Sequence, residues 1–336
     1  MQGEQSRQVS FFGMIYEELI GADHLLRRLS EAVDFSFVGP LVRDCYCPDN
    51  GRPSWDPVVL FKVVFLQFLY DLSDRDVEDQ VNLHLACKWF AGLMPEEAAP
   101  DHSTICRFRA RLGPEKFQEI FNTIIARARA AGLVHDRLRI IDATHLEAKV
   151  DLFRLNKSQQ GQVEQNSPDP DARFGRKSKR KGFYGYKEHA AIDPDSELIT
   201  AVQVTPGNVP DSEVFAALVD RQAREVTADK GYDTNANHQK LKQSGQRSSI
   251  IIKRNRTAPD ILGRADPNSQ RERPNIERKF AEQKKYHGLR RARYWGLVKV
   301  TVQVLLTCLV VNCKRIAKLL ASPPPRQKVS LSLASA

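Results

Sequence analysis

Over the first 135 residues apolar positions recur at helical spacing, and prolines and glycines cut the pattern into short segments. DHLLRRLSEAVDFSFV predicts one helix with an extended exit, and Pro48 to Pro53 then interrupt the chain. A second helix is expected over Asp56–Tyr70, and Ser73 is placed to cap the next, with SDRD putting a carboxylate in its first turn. After a break at Pro95–Pro100, DHSTICRFRARLG begins with cap-type residues and ends at Gly113, and Phe117–Ala131 forms another amphipathic segment closed by Gly132. About five helices and no strand are expected before residue 135. Beyond it the period changes. RLRIIDATHLEAKV, GFYGYKEHAAID and ELITAVQVTPG have the β-branched, alternating character of three consecutive strands, the last two around the turn DPDS. A helix over Ser212–Arg224, a strand in REVTADKGY, a helix over Asn235–Gln243 and a strand in RSSIIIK follow, then helices from Pro274 and over Tyr294–Leu320. Strands followed by alternating helices predict a mixed α/β sheet behind an all-helical N-terminal part.

Composition adds a partner. The 336 residues allow about two domains, and 51 Lys plus Arg against 41 Asp plus Glu give a net charge of +10, which favours a polyanion. The apolar stretches Val58–Leu72 and Leu297–Val311 are interrupted by Lys62, Gln67, Lys299 and Gln303, so buried helices are expected and no membrane partner. MQGEQSRQVS lacks the pattern of a secretory leader, and a cytoplasmic location is the expectation. The six cysteines form no paired CxxC set and read as reduced thiols. Residues 156–181 are rich in Gln, Ser, Pro, Lys and Arg and end in RFGRKSKRK; they predict an exposed, mobile basic loop. Residues 255–272 form a second interruption, and the tail 322–336 has the composition of disorder.

Three acids stand out by position. Asp142 follows the strand residues Arg139, Ile140 and Ile141, Asp229 ends an apolar run just before a Lys-Gly-Tyr turn, and Glu277 lies in the first turns of the helix begun by Pro274. A carboxylate in such a strand is costly unless paired or bound to a cation, and convergent oxygen donors suit Mg²⁺ or Mn²⁺. Each acid alone also fits a turn former, an ion-pair partner or a helix-dipole neighbour, and position by itself does not decide.

These residues lie in motifs that together resemble bacterial insertion-sequence transposases of the Asp-Asp-Glu type, of the IS-five and IS-eleven-eighty-two kind. In the helical half the resemblance rests on SFF near Phe11, DHLLRRL, GRPSWDPVVLFK, LSDRDVEDQV, KWFAGL and DHSTICRFRARL. In the second half it rests on IIDATHLEAK, GFYGYKEHAAID, VTPGNVPDSEVF, TADKGYDTNANHQKL and NIERKFAEQKKYHGLRRARYWG. It implies a ribonuclease-H-like catalytic domain over 134–321, with Asp142, Asp229 and Glu277 as catalytic, metal-binding acids and Mg²⁺ as the cofactor, Mn²⁺ substituting. A Tyr-x2-Arg-x3-Glu-x6-Lys signature of related transposases falls on Arg273, Glu277 and Lys284, with Gln270 where the tyrosine would stand.

Arg273 and Lys284 are then expected on DNA phosphates, together with Arg176, Lys177, Lys179, Arg180 and Lys181 of the basic loop, while Arg271, Arg278, Lys279, Lys285, Arg290, Arg291 and Arg293 either add to a field that attracts DNA or solvate a helix face. The helical domain, 1–133, is expected to bind DNA ends, to join protomers, or both. Arg107 and Arg109 either reach DNA as on a recognition helix or are solvated on a helix packed through Ile105, Phe108 and Leu112. Tyr184, Tyr186 and Lys187 are expected along the site or DNA channel, and His145, His189 and Glu147 are weaker acid–base candidates. The expected function is a DNA transposase acting as a homo-oligomer on double-stranded DNA, in the bacterial cytoplasm with the nucleoid. It would cut the terminal inverted repeats of its own element and join the 3′-hydroxyls to target DNA. A metal-dependent endonuclease without strand transfer and a lapsed sequence-specific DNA-binding protein are the alternatives.

Overall fold

The structure is a computed structural model that describes residues 2–3, 14–51, 53–159, 162–178, 181–255 and 266–321; the expected tail 322–336 lies outside them. The helical part comprises α1 (Met14–Leu19), α2 (Leu25–Ala32), α3 (Val38–Leu41), α4 (Pro57–Leu69), α5 (Asp74–Leu83), α6 (Leu85–Ala91) and α7 (His102–Ala130). Local chemistry sets the boundaries. Asp56 caps α4 and Pro57 opens it, while Ser73 and Asp76 form a reciprocal capping box on α5. Asp101 caps α7, which breaks at Gly113, where φ of +62° suits glycine and Pro114 restarts the helix.

The second part opens with β1 (Leu138–Glu147), followed by α8 (Leu152–Gln159), α9 (Val163–Asn166) and β2 (Arg173–Ser178). Among the described residues, the segment expected as a loop thus contains the end of α8, α9 and β2. Asp151 accepts from the Arg154 amide at the start of α8, Glu164 accepts from the Phe174 amide, and β2 pairs antiparallel with the beginning of β3 (Lys181–Asp193). Then come β4 (Leu198–Pro206), α10 (Asp211–Leu218), β5 (Glu225–Ala228), α11 (Asn235–Gln243), β6 (Arg247–Ser248), α12 (Pro267–Arg271), α13 (Pro274–Tyr286) and α14 (Leu297–Ala321).

One sheet runs β2-β3-β1-β5-β6, with β4 on the same edge of β3 as β2. β3 is antiparallel to β1 and to β4, whereas β1, β5 and β6 are parallel. Three antiparallel strands joined through the first of them to a parallel pair give the mixed sheet expected from the pattern, in the ribonuclease-H-like order that the resemblance implies.

The two sheet faces carry different cores. Ile141 and Ala191 meet α10 and α11 through Phe215, Leu218 and Leu241 in a small cluster. Ile140, Leu146, Ile192 and Ile199 join a much larger cluster that continues without a break into α2, α4 and α7. Helix α14 is the spine of that cluster, packing on β4, α2, α4 and α7 at once. Its length and apolarity would suffice to cross a membrane, yet Val304 to Val311 are all buried within the protein. The boundary expected at residue 133 is therefore crossed by a helix from the far end of the chain.

Candidate active site

Parallel pairing of β1 and β5 places Ile141 opposite Ala228, so the next residues, Asp142 and Asp229, emerge side by side where both strands lose their common ladder. Neighbouring strands are about 4.8 Å apart, which brings these acids within easy electrostatic reach. Asp229 caps the following turn, its Oδ1 accepting from the Gly231 amide at 2.7 Å. Asp142 Oδ1 accepts from the Ala143 amide at 2.8 Å, and the Arg273 guanidinium stands 3.8 Å from Asp142 Oδ2. Burial pushes the Asp142 carboxyl up to about 6, with the Ala143 hydrogen bond and Arg273 opposing and Asp229 and Asp211 adding to the rise. Around Asp142, then, burial and two further carboxylates outweigh the nearby guanidinium.

Asp211 had no place among the residues singled out from sequence. It begins α10, accepts from Lys187 Nζ at 2.8 Å, and lies 3.9 Å from His189 Nδ1. The signal was present in VTPGNVPDSEVF, where an acid follows a proline at a helix start. Tyr232, fully buried just after Asp229, is raised far above the usual phenol range by burial and by Asp211, Asp142 and Asp229. These four side chains and Arg273 make up one electrostatic neighbourhood.

Helix α13 brings the remaining signature residues alongside β1. Arg273 precedes its first turn, Glu277 follows one turn later on the exposed side, and Lys284 Nζ donates to Thr144 Oγ1 at 2.6 Å. The structure thus unites Asp142, Asp229 and Arg273 and aligns Lys284 with β1. Among the described residues, no three His, Cys, Asp or Glu side chains stand together as a ready metal-holding group, and Glu277 is not drawn in to the two aspartates. The donor chemistry nonetheless fits a hard divalent cation: two adjacent carboxylates, one with a raised affinity for positive charge.

Residues 135–313 match the model of the Transposase DDE domain, and residues 14–111 match that of the Transposase domain (DUF772). The chain belongs to the DDE transposases. A cryo-EM structure of a piggyBac transposase synaptic complex with hairpin DNA is similar over 94% of this chain and 83% of that one, at 9% identity and a TM-score of 0.36. At that level of similarity, the assignment stands on the domain matches alone. Transposases of this type are enzymes that cut and join DNA, and their DDE domains use divalent metal ions.

Several cations expected on DNA are engaged inside this transposase. Arg109 is buried; it donates to Gln67 Oε1 at 2.7 Å and to Asp74 Oδ2 at 2.8 Å, and its guanidinium lies over Tyr294. It faces inward because it shares the helical stripe Ile105, Phe108, Leu112, so the DNA contact expected of it is replaced by an internal one. Arg107 does face outward, donating to Thr104 Oγ1 at the rim of an open groove of about 700 Å³ with Trp55, Phe108 and Arg111. Lys279 pairs with Glu197 and Glu282, Arg291 donates to the Ala148 and Val150 carbonyls, and Arg293 binds Asp71 and the Leu72 carbonyl. Arg176 is exposed on β2, whereas Lys179 and Arg180 lie outside the described residues, as do the side chains of Lys177 and Lys181.

The aromatic and histidine candidates make internal contacts. Tyr184 and Tyr186 are buried, and the Tyr186 hydroxyl donates to Asp169 Oδ1 at 2.5 Å. His189 is buried beside Thr205, and burial lowers its imidazole to about 4, so it is neutral at physiological pH. His145 packs on Phe183, and the exposed Glu147 joins the Arg290–Ala292 segment through its backbone.

Proposed function

We propose that Asp142, Asp229 and Glu277 hold the divalent cation of this transposase, that the cation is Mg²⁺ with Mn²⁺ able to replace it, and that the enzyme cuts the ends of an insertion sequence and joins the 3′-hydroxyls to target DNA. The observation carrying this reading is the side-by-side exit of Asp142 and Asp229 from parallel strands, with Arg273 the nearby cation. Two such carboxylates are costly together unless a cation joins them, and an all-oxygen donor set suits Mg²⁺. When bound, the metal would activate a water or 3′-hydroxyl and stabilise the leaving oxygen.

The chain's own groups orient the DNA. The Arg273 Nε is buried with no hydrogen-bond partner among the described residues, so its guanidinium has donor capacity for a phosphate beside Asp142. Glu277 would supply its carboxylate from α13, and Lys284, anchored at Thr144, would place positive charge along the same strand. Arg107 on α7 would contact the element's terminal inverted repeats. Arg176, with Lys177, Lys179, Arg180 and Lys181, would bind phosphates without reading bases. In this reading residues 1–133 recognise DNA ends or join protomers, 134–321 catalyse, and the enzyme works as a homo-oligomer of the IS-five and IS-eleven-eighty-two kind, in the bacterial cytoplasm on the nucleoid.

The test is cleavage and strand transfer on DNA carrying the inverted repeats that flank the gene. Asp142→Ala, Asp229→Ala and Glu277→Ala should each abolish Mg²⁺-supported cleavage while DNA binding persists. Metal-dependent cleavage retained by any of the three would remove that residue from the site, and cleavage without joining would make the enzyme an endonuclease.

A further inference from the structure

Glu188 is the most deeply buried carboxylate near the site, and no step above uses it. It lies on β3 directly opposite Thr144 of β1, so both side chains leave the same face of the sheet, the face covered by α13 and α14. Its Oε1 accepts from Gln283 Nε2 at 2.8 Å and faces Cys308 Sγ of α14 at 3.4 Å. Gln283 is the residue before Lys284, which itself donates to Thr144 Oγ1. Two consecutive residues of α13 therefore fasten onto a cross-strand pair of β1 and β3.

This arrangement is expensive for a purely structural one. Glu188 is fully buried, its Oε2 has no partner among the described residues, and neither does Gln283 Oε1. Burial pushes the Glu188 carboxyl up to about 7, against the Gln283 and Cys308 hydrogen bonds and the charge of Lys284. Well-packed apolar side chains in such places are commonly as stable or more so, while buried polar pairs fix register. Register matters here. α13 carries Arg273 and Glu277, and Gln283 is six residues beyond Glu277, or about 9 Å along the helix axis.

We propose that Glu188 is a positioning residue: with Gln283 it forms a buried clamp that fixes α13 against β1, and so sets where Arg273 and Glu277 stand relative to Asp142. This rests on the reading of Glu277 as a metal-holding acid. The clamp acts at a distance from DNA, so its loss should appear in metal affinity and turnover, not in DNA affinity.

The full-length protein would be titrated with Mn²⁺, and hydrogen exchange of the α13 amides followed, in wild type, Glu188→Leu, Gln283→Met, the swap Glu188→Gln with Gln283→Glu, and Glu277→Ala. Glu188→Leu should weaken Mn²⁺ binding about tenfold, in the lower range seen when supporting groups of a metal site are removed, and should speed α13 exchange. Turnover should fall with KM for DNA unchanged, and the swap should restore both readouts. If Glu188→Leu does not fold, Gln283→Met carries the same expectation. Wild-type Mn²⁺ affinity or unaltered α13 exchange in the folded clamp variants would overturn the clamp, provided Glu277→Ala loses affinity. If Glu277→Ala keeps full affinity, the site assignment itself fails and the clamp falls with it.

Discussion

Two arginine–aspartate pairs in this protein behave oppositely. In the helical half, Arg109 meets Asp74 at 2.8 Å and Gln67 at 2.7 Å, and Gln67 in turn donates to Asp74. At the open end of β1 and β5, Arg273 stands 3.8 Å from Asp142, its Nε has no partner among the described residues, and Asp229 and Asp211 add negative field at the same carboxylate. The first pair closes its hydrogen bonds and stabilises the joint between α4, α5 and α7. The second, among the described residues, is longer and leaves a guanidinium nitrogen unpaired, as the proposed binding of a cation and a phosphate there requires.

The contrast is broken most sharply at Arg109. Arg109→Ala strands Asp74 and Gln67 in a partly buried joint and should destabilise folding by about 3 kcal/mol in denaturant unfolding. Arg273→Ala should change stability by less than about 1 kcal/mol while severely reducing cleavage. Equal stability losses at the two positions would erase the distinction.

Glu188 adds a pH dependence with a definite sign. Its folded carboxyl titrates near 7 against an ordinary 4.5, so the unfolded chain releases the proton first and stability falls as pH rises between those values. By about 1.4 kcal/mol per unit, Glu188→Gln should flatten that slope and stabilise the protein at pH 8 by up to about 3 kcal/mol. An unchanged pH profile would place the carboxyl in a more polar setting than its contacts imply. Asp142 should act in the same direction but less, being a fifth exposed: Asp142→Asn is expected to stabilise the metal-free protein near pH 7 by about 2 kcal/mol. A destabilised Asp142→Asn would mean that Arg273 already satisfies the charge.

The smallest expected effect is on the outer cations. Arg107→Ala should leave folding within about 0.5 kcal/mol of wild type and weaken preference for the inverted repeats in a footprint. Neutralising Arg176 should lower affinity for all duplexes alike and reduce the salt slope by about one.

Much of this architecture was legible because local signals agreed with tertiary demands. Asn235–Gln243 and Pro57–Leu69 fall where periodicity and caps put them. The RSSIIIK segment is strand only at Arg247–Ser248, yet the Ser249 and Ile251 amides still donate to Val226 and Ala228, so the pairing continues past the regular strand. β2 was missed because RFGRKS has no alternation of apolar residues; it is an edge strand held by backbone pairing to Gly182–Gly185. Arg109 is expected from sequence on DNA or in solvent, yet the helical period of 3.6 puts it on the stripe of Ile105 and Leu112. Its partners Gln67 and Asp74 lie 42 and 35 residues away, which no local pattern encodes. For the same reason Asp142 and Asp229 could be picked out separately, but their adjacency needed the strand register.

The central claim is that Asp142, Asp229 and Glu277 form one metal-holding site. It is tested most directly by the anomalous scattering of Mn²⁺ in crystals of the full-length protein bound to its terminal repeat. A Mn²⁺ peak ligated by Asp142 and Asp229, with a Glu277 oxygen completing the protein's share, is the expected result. Mn²⁺ bound elsewhere, or held by the two aspartates with Glu277 still turned to solvent, would contradict it.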